Sequence, residues 1–395
     1  MSVQAASATD LPTARQGSWG AVGALTLCVS ALIASEFLPV SLLTPIAADL
    51  HVTEGQAGQA IAVSGAFAVA TSLLISRVTR GIDRRRVLLT LTALMIVSGL
   101  MVALAPNASV FMAGRALIGM VVGGFWSMSA ATVMRLVPED QVPRALNLLN
   151  GGNALATTIA APLGAFLGHL IGWRGAFFLV VPLGALTFVW QYLTLPALPA
   201  TSAPRATAVF RLLRSPTVAI GMAAVAAAFA GRFALFTYVR PFLETVTRVS
   251  PSTLSLILLL IGIAGLVGSI LIGPMLRTRL QATLLAPPLA MAALAIALIF
   301  LGASPLATAA LLTLWGLIST PSSAAWWTWL SRTLPEDAEA GGGLMVAVVQ
   351  LAITAGAALG GFLLDASGYS AAFAAGAAIL GVSAVLTVIG ARTKA

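Results

Sequence analysis

Charge is scarce in this sequence: 8% of its 395 residues are Asp, Glu, Lys or Arg, against about a quarter in soluble domains. A chain that is 59% hydrophobic and so short of ionic side chains has no polar surface for water, which excludes a soluble globule and puts most of the surface against lipid. Aromatics are also few, at 7%. Ala, Leu, Val, Ile and Gly therefore carry the hydrophobicity, and 37 glycines suit helices that pack closely in a bilayer. The single cysteine, Cys28, excludes an intramolecular disulfide. His51 and His169 are far apart, and no carboxylates cluster with them, so no metal is expected. There is no Gly-Lys-Ser/Thr phosphate loop to take energy from ATP. No nucleophile sits beside a base, which argues against an enzyme. A cleavable signal pattern is missing too: residues 1–18 are polar and the apolar run after them is too long, so the first helix is expected to be retained.

The net charge of +9 would suit nucleic acid only if the bases shared a face or a tail. They sit instead in short gaps between apolar runs. A helix needs about 20 mostly apolar residues to span a bilayer, and twelve such runs are present, at roughly 20–43, 57–76, 87–105, 110–134, 145–168, 173–193, 217–239, 253–276, 282–303, 306–330, 342–364 and 370–391. None alternates as a barrel strand would. With the N-terminus placed in the cytoplasm, sixteen bases fall in inside segments and three (Arg174, Arg240, Arg248) in outside loops. This is a strong positive-inside bias that puts both termini in the cytoplasm. Arg115 and Arg232 remain, both within membrane runs.

The longest gap, 194–216, holds Pro196, Pro199 and Pro204 and reads as a cytoplasmic linker. The expected organisation is an N-terminal segment (1–19), a first bundle (20–193), this linker, a second bundle (217–391) and a short tail (392–395). The bundles repeat one another. A shift of 196 residues aligns Leu163-Gly-Ala-Phe166 with Leu359-Gly-Gly-Phe362, and Gly172-Trp173 with Gly368-Tyr369. A shift of 197 aligns Gly119 with Gly316, Arg135 with Arg332, and Pro138-Glu-Asp140 with Pro335-Glu-Asp337.

Two parallel six-helix repeats describe the major facilitator architecture, an all-α membrane fold of twelve helices. The chain resembles the drug:proton antiporter branch of that superfamily along its whole length. Arg115 followed by Gly119 resembles the fourth-helix motif. Asp83-Arg84-Arg85-Arg86 resembles the loop between the second and third helices, with Thr79 where a Gly is usual. Gly151, Gly152, Pro162, Gly164 and Gly168 resemble the antiporter pattern of the fifth helix, with Ala161-Pro162 in place of its Gly-Pro pair. The stretches Glu36–Pro45, Gly123–Ala130 and Phe236–Pro241 are similar to bacterial purine ribonucleoside efflux transporters, and sugar efflux proteins share parts of them. The resemblance implies a monomeric inner-membrane exporter of inosine- or guanosine-type nucleosides, or of sugars or drugs with a part in drug resistance. It would be driven by the proton gradient without a cofactor. A channel or sensor is the alternative of another class.

Glu36 lies within the first run, where a carboxylate must be protonated, paired or wetted. It is the expected proton carrier, unless it is a fixed structural partner. The repeat places Arg232 at the position of Glu36 in the second bundle, so a Glu–Arg pair across the cavity is expected, with snorkelling as the alternative. Arg115 would take Glu36 or helix carbonyls, and the resemblance implies a coupling role for it. Asn150, Asn153 and Thr157 share one helical face, as do Gln350 and Thr354. Their side chains suit ribose hydroxyls and base edges, or glue helices together. Phe37, Trp126, Phe233 and Phe236 are the aromatics placed to stack on a base, unless they face lipid or pack within the bundle. The resemblance further implies that Asp83 and Arg84, with Arg135 as partner of Asp83, lock a cytoplasmic gate.

Overall fold

The computed structural model describes residues 18–199, 211–334 and 338–392. Parts of the expected terminal segments and linker, and the Pro335–Asp337 end of the repeat, lie outside these. The first group of helices is α1 (Trp19–Asp49), α2 (Glu54–Val78), α3 (Arg84–Ala103), α4 (Ala108–Leu136), α5 (Val142–Phe178) and α6 (Val180–Thr194). The second is α7 (Pro216–Phe236), α8 (Val239–Thr245), α9 (Pro251–Leu271), α10 (Gly273–Thr278), α11 (Leu280–Leu301), α12 (Pro305–Thr333) and α13 (Ala338–Arg392). No strand occurs among the described residues.

The starts are written in the sequence. Thr53 and Gln56 form a capping box on α2, Asp83 accepts from the Arg85 amide, and Asn107 and Ser250 cap α4 and α9. Pro216, Pro251 and Pro305 occupy first-turn positions, where the missing N–H is not needed. Nine helical stretches among the described residues are long and apolar enough to cross a membrane. Two of them, of 51 and 52 residues, are far too long for one crossing. They bend at Gly172 (φ 73°) and Gly368 (φ 79°), left-handed positions that only glycine takes without strain. These two glycines are repeat mates. Two expected runs are instead divided, α7 from α8 and α9 from α10.

The repeat governs packing as well. α1 packs on α5 and α2 on α4, as α7 packs on α13 and α9 on α12. A Cβ on Gly119 would lie 2.1 Å from the Ser64 carbonyl oxygen, and one on its mate Gly316 2.2 Å from that of Ile261. In both halves, then, backbone meets backbone where glycine permits it.

Between the halves, α2 lies on α13 and α5 on α9. The ends of the bundle differ. At the near end, where the chain enters at Ser18, one apolar cluster draws only on the first group and its following segment, and another only on the second half. At the far end, where α1 turns into α2, both clusters are mixed. Tyr238 and Leu364 join Leu42, Phe111 and Phe177 in one; Val40, Ile61 and Ala165 join Phe233 and Trp315 in the other. The buried apolar clusters are thus shared between the halves at the far end and confined to one half each at the near end.

The linker departs from expectation. Its described start is docked: Leu195 and Leu198 are buried, and the Leu198 amide donates to both Asp83 carboxylate oxygens at 3.1 Å.

Candidate functional site

Pro39 sits within α1 and has no N–H, so the Ser35 carbonyl four residues earlier loses its helical partner. Arg115 takes that carbonyl: Nη1 donates to Ser35 O at 2.8 Å, and Nη2 to Glu36 O at 2.9 Å. Longer bonds, both 3.4 Å, reach Ala60 O and Ser64 Oγ. This fully buried guanidinium therefore holds the backbone of α1 and α2. Of the two partners expected for Arg115, the structure shows helix carbonyls.

Clamped in this way, α1 presents Glu36 towards the other half. Glu36 is 5% exposed, and its carboxylate accepts from Gln350 Nε2 of α13 at 3.4 Å. One residue on, Phe37 meets Phe233 of α7 with ring centroids 6.0 Å apart, and Phe236 packs against Phe233 at 6.3 Å. Phe37 and Phe233 are repeat mates, so this contact lies across the internal symmetry.

The expected Glu36–Arg232 ion pair is not formed. The ion pairs among the described residues are Arg174–Asp49 and Arg240–Glu244. Arg232 turns to α12, where Nη1 donates to Ser319 O at 3.1 Å. Its guanidinium lies over Phe229 and Phe233, 5.9 and 5.5 Å from the ring centroids. The Glu36 carboxylate is engaged by Gln350 instead.

Asn150 is exposed, and Asn153 and Thr157 are half-buried. Their face of α5 lies opposite the exposed apolar face of Leu148, Leu155 and Ile159, given 100° per residue. The amides thus point away from lipid. Thr157 Oγ1 donates to Asn153 O, and Thr354 Oγ1 to Gln350 O. Thr354 abuts Gly65 of α2, on the seam between the halves. Trp126 packs edge-on against Phe125, and both it and Phe37 pack against the near-end apolar cluster of the first half.

Asp83, Arg84 and Arg135 lie at the near end. Asp83 caps α3 and holds Leu198, and Arg84 donates to Thr79 Oγ1 at 2.7 Å. No hydrogen bond or ion pair joins Asp83 to Arg135. In this arrangement Asp83 serves its own half.

Sequence reasoning missed the far-end contacts. Asp365 of α13 accepts from Thr53 Oγ1 at 2.6 Å and from the Gly55 amide at 3.1 Å, capping α2 from the opposite half. A Cβ on Gly55 would strike the Asp365 carboxylate at 2.3 Å. Tyr369 donates to Glu54 at 2.8 Å. Arg240, read as a loop charge, is buried; it pairs with Glu244 and donates to the Ser41 carbonyl. That carbonyl is freed by Pro45 as Ser35 is by Pro39. The two prolines of α1 were the available signal.

Residues 24–353 match the family described as Major Facilitator Superfamily. The chain belongs to this superfamily. As such it is a multi-pass membrane transporter and not an enzyme. It is 58% identical over 385 residues to a protein of Pseudomonas aeruginosa named transcription regulatory protein OpdE, covering 96% of each chain. It is 42% identical over 348 residues to the purine ribonucleoside efflux pump NepI of Salmonella typhimurium (88% of each). To NepI of Escherichia coli O157:H7 it is 40% identical over 377 residues (95% of each). Its fold matches a crystal structure of a bacterial homologue of the human lysosomal transporter Spinster, inward-facing and unoccupied, with a TM-score of 0.79 at 17% identity, over 95% of this chain and 97% of that one.

Proposed function

We propose that this transporter exports purine ribonucleosides in exchange for protons by alternating access. The observation that carries this reading is the Glu36–Gln350 hydrogen bond beside the Phe37–Phe233 contact. A titratable carboxylate and an aromatic pair sit together where the halves meet, so loading either with proton or substrate changes how the halves hold one another. Relatives named as purine ribonucleoside efflux pumps, 40–42% identical over most of the chain, supply the substrate class. Aromatic faces suit a purine, and the open amides of Asn150 and Asn153 suit ribose hydroxyls.

In this reading the chain crosses the bacterial inner membrane twelve times. The two bent helices count twice, and Pro305–Thr333 completes the number. Both termini are cytoplasmic, by the distribution of arginines. The near end is then the cytoplasmic side, and the far-end contacts close the outer side. Protons enter from outside to Glu36, substrate leaves on the opposite stroke, and no cofactor takes part. Arg115 supports coupling by fixing the backbone that carries Glu36. Asp83, Arg84 and Arg135 lie where an inner gate would form in the outward-open state. The chain works as a monomer, since one copy holds both halves of the site.

The test is counterflow in proteoliposomes with a panel of inosine, guanosine, a pentose and a cationic drug. Exchange of labelled purine nucleoside supports the substrate class. Exchange of the sugar or drug alone replaces it within the same fold and mechanism. The name of the 58% identical relative favours a second reading, an effect on transcription. A transporter has such an effect by lowering the internal concentration of an effector it exports. A variant that folds but does not transport then loses the transcriptional effect as well, whereas a sensor keeps it.

A further inference from the structure

Arg232 is a cation at membrane depth with no carboxylate partner, and such a residue calls for a functional explanation. A guanidinium offers two edges. Its Nη1 is engaged by Ser319 O, which leaves the edge carrying Nε–H and Nη2–H side by side. Nε is buried without any hydrogen-bond partner, and buried donors in folded proteins are normally satisfied. A small cavity lined by Phe229, Met291, Ser322 and Trp326 lies against the same side chain. Phe233, under the guanidinium, is the residue that meets Phe37 across the halves. The open edge is a fork of two parallel donors, the geometry that recognises two adjacent acceptors.

Resting on the purine reading above, we propose that Arg232 is the base-selecting residue and takes the O6 and N7 acceptors of a 6-oxopurine nucleoside. Guanine and hypoxanthine carry both acceptors on one edge, whereas adenine carries a donor, N6–H₂, beside N7. The fork pairs fully with inosine or guanosine and meets adenosine donor against donor. Phe229 and Phe233 hold the guanidinium plane by cation–π contact, and the purine ring gains an aromatic surface beside it. A Gln in this place, with one acceptor and one donor, matches the adenine edge instead.

The test uses the full-length transporter in proteoliposomes and compares inosine, 7-deazainosine (no N7 acceptor) and adenosine as competitors of labelled guanosine. The wild type is expected to favour inosine over each of the others by about ten-fold or more. Arg232→Gln is expected to move the preference towards adenosine. Arg232→Lys, which keeps the charge and loses the fork, is expected to lose discrimination without reversing it. The wild-type series needs no variant and so stands even if a substitution prevents insertion. Equal competition by all three nucleosides overturns the assignment of Arg232 and leaves the purine reading standing. So does an unchanged preference in Arg232→Gln with only the pH dependence altered, which would make Glu36 the partner of the fork. If the wild type exchanges no purine nucleoside, the substrate reading fails and this assignment falls with it.

Discussion

Pro39 and Arg115 form a unit that neither residue explains alone. The proline removes the donor that Ser35 O would have used, and Arg115 supplies another from α4. Removing the arginine strands a buried acceptor, at about 1–3 kcal/mol, and restoring the helical N–H relieves it. Arg115→Met is therefore expected to lower thermal stability in detergent, and to lower it less in a Pro39→Ala background. Additive effects in this double-mutant cycle would mean that the two residues act separately. Residue types at this scale were legible: Glu36, Arg115 and Arg232 stood out as charges in apolar runs. Their partners were not legible. Whether Arg232 reaches Glu36 or Ser319 depends on the rotation of α7 about its axis and on a side-chain rotamer, neither of which leaves a trace in composition or spacing.

Among the helices, contact is set by glycine. Gly119 and Gly316 each bring a helix backbone against a neighbouring carbonyl, and overpacking at such a point costs about 1–3 kcal/mol. Ala at either position is expected to destabilise the transporter by about that amount. Gly381, where a Cβ would meet nothing within 4 Å, is expected to accept Ala without loss. Similar melting temperatures for all three variants would contradict the close approach. The helices themselves, and the gaps between runs that fall at Gly172 and Gly368, were readable because they follow local rules of hydropathy and backbone conformation. The division of α7 from α8 was not, since the apolar run continues across it. The docked start of the linker was missed because it depends on Asp83, more than a hundred residues earlier in the chain.

The whole molecule is closed at its far end by contacts from both halves: Asp365 on α2, Tyr369 on Glu54, and Arg240 on Ser41. Two of the three involve a carboxylate acceptor, and such charge-assisted bonds are stronger than neutral ones. Losing about 1.4 kcal/mol of far-end attraction shifts the balance between states tenfold. Asp365→Ala with Tyr369→Phe is expected to add a longer population to spin-label distances between the far ends of α2 and α13. An unchanged distance distribution would show that the apolar clusters alone close this end. The repeat in the sequence announced two halves, but not which end holds them together. Asp365 looks like any loop-end carboxylate until α13 is laid against α2.

The central claim is that Glu36, where the halves meet, couples proton entry to substrate exit. It is tested most directly by inosine flux in proteoliposomes with an imposed pH gradient, for the wild type and Glu36→Gln. The wild type is expected to move inosine against its gradient only towards the acid side. Glu36→Gln should lose that drive and still exchange inosine for inosine at equal pH. Gradient-driven accumulation that survives in Glu36→Gln would contradict it and place the coupling elsewhere.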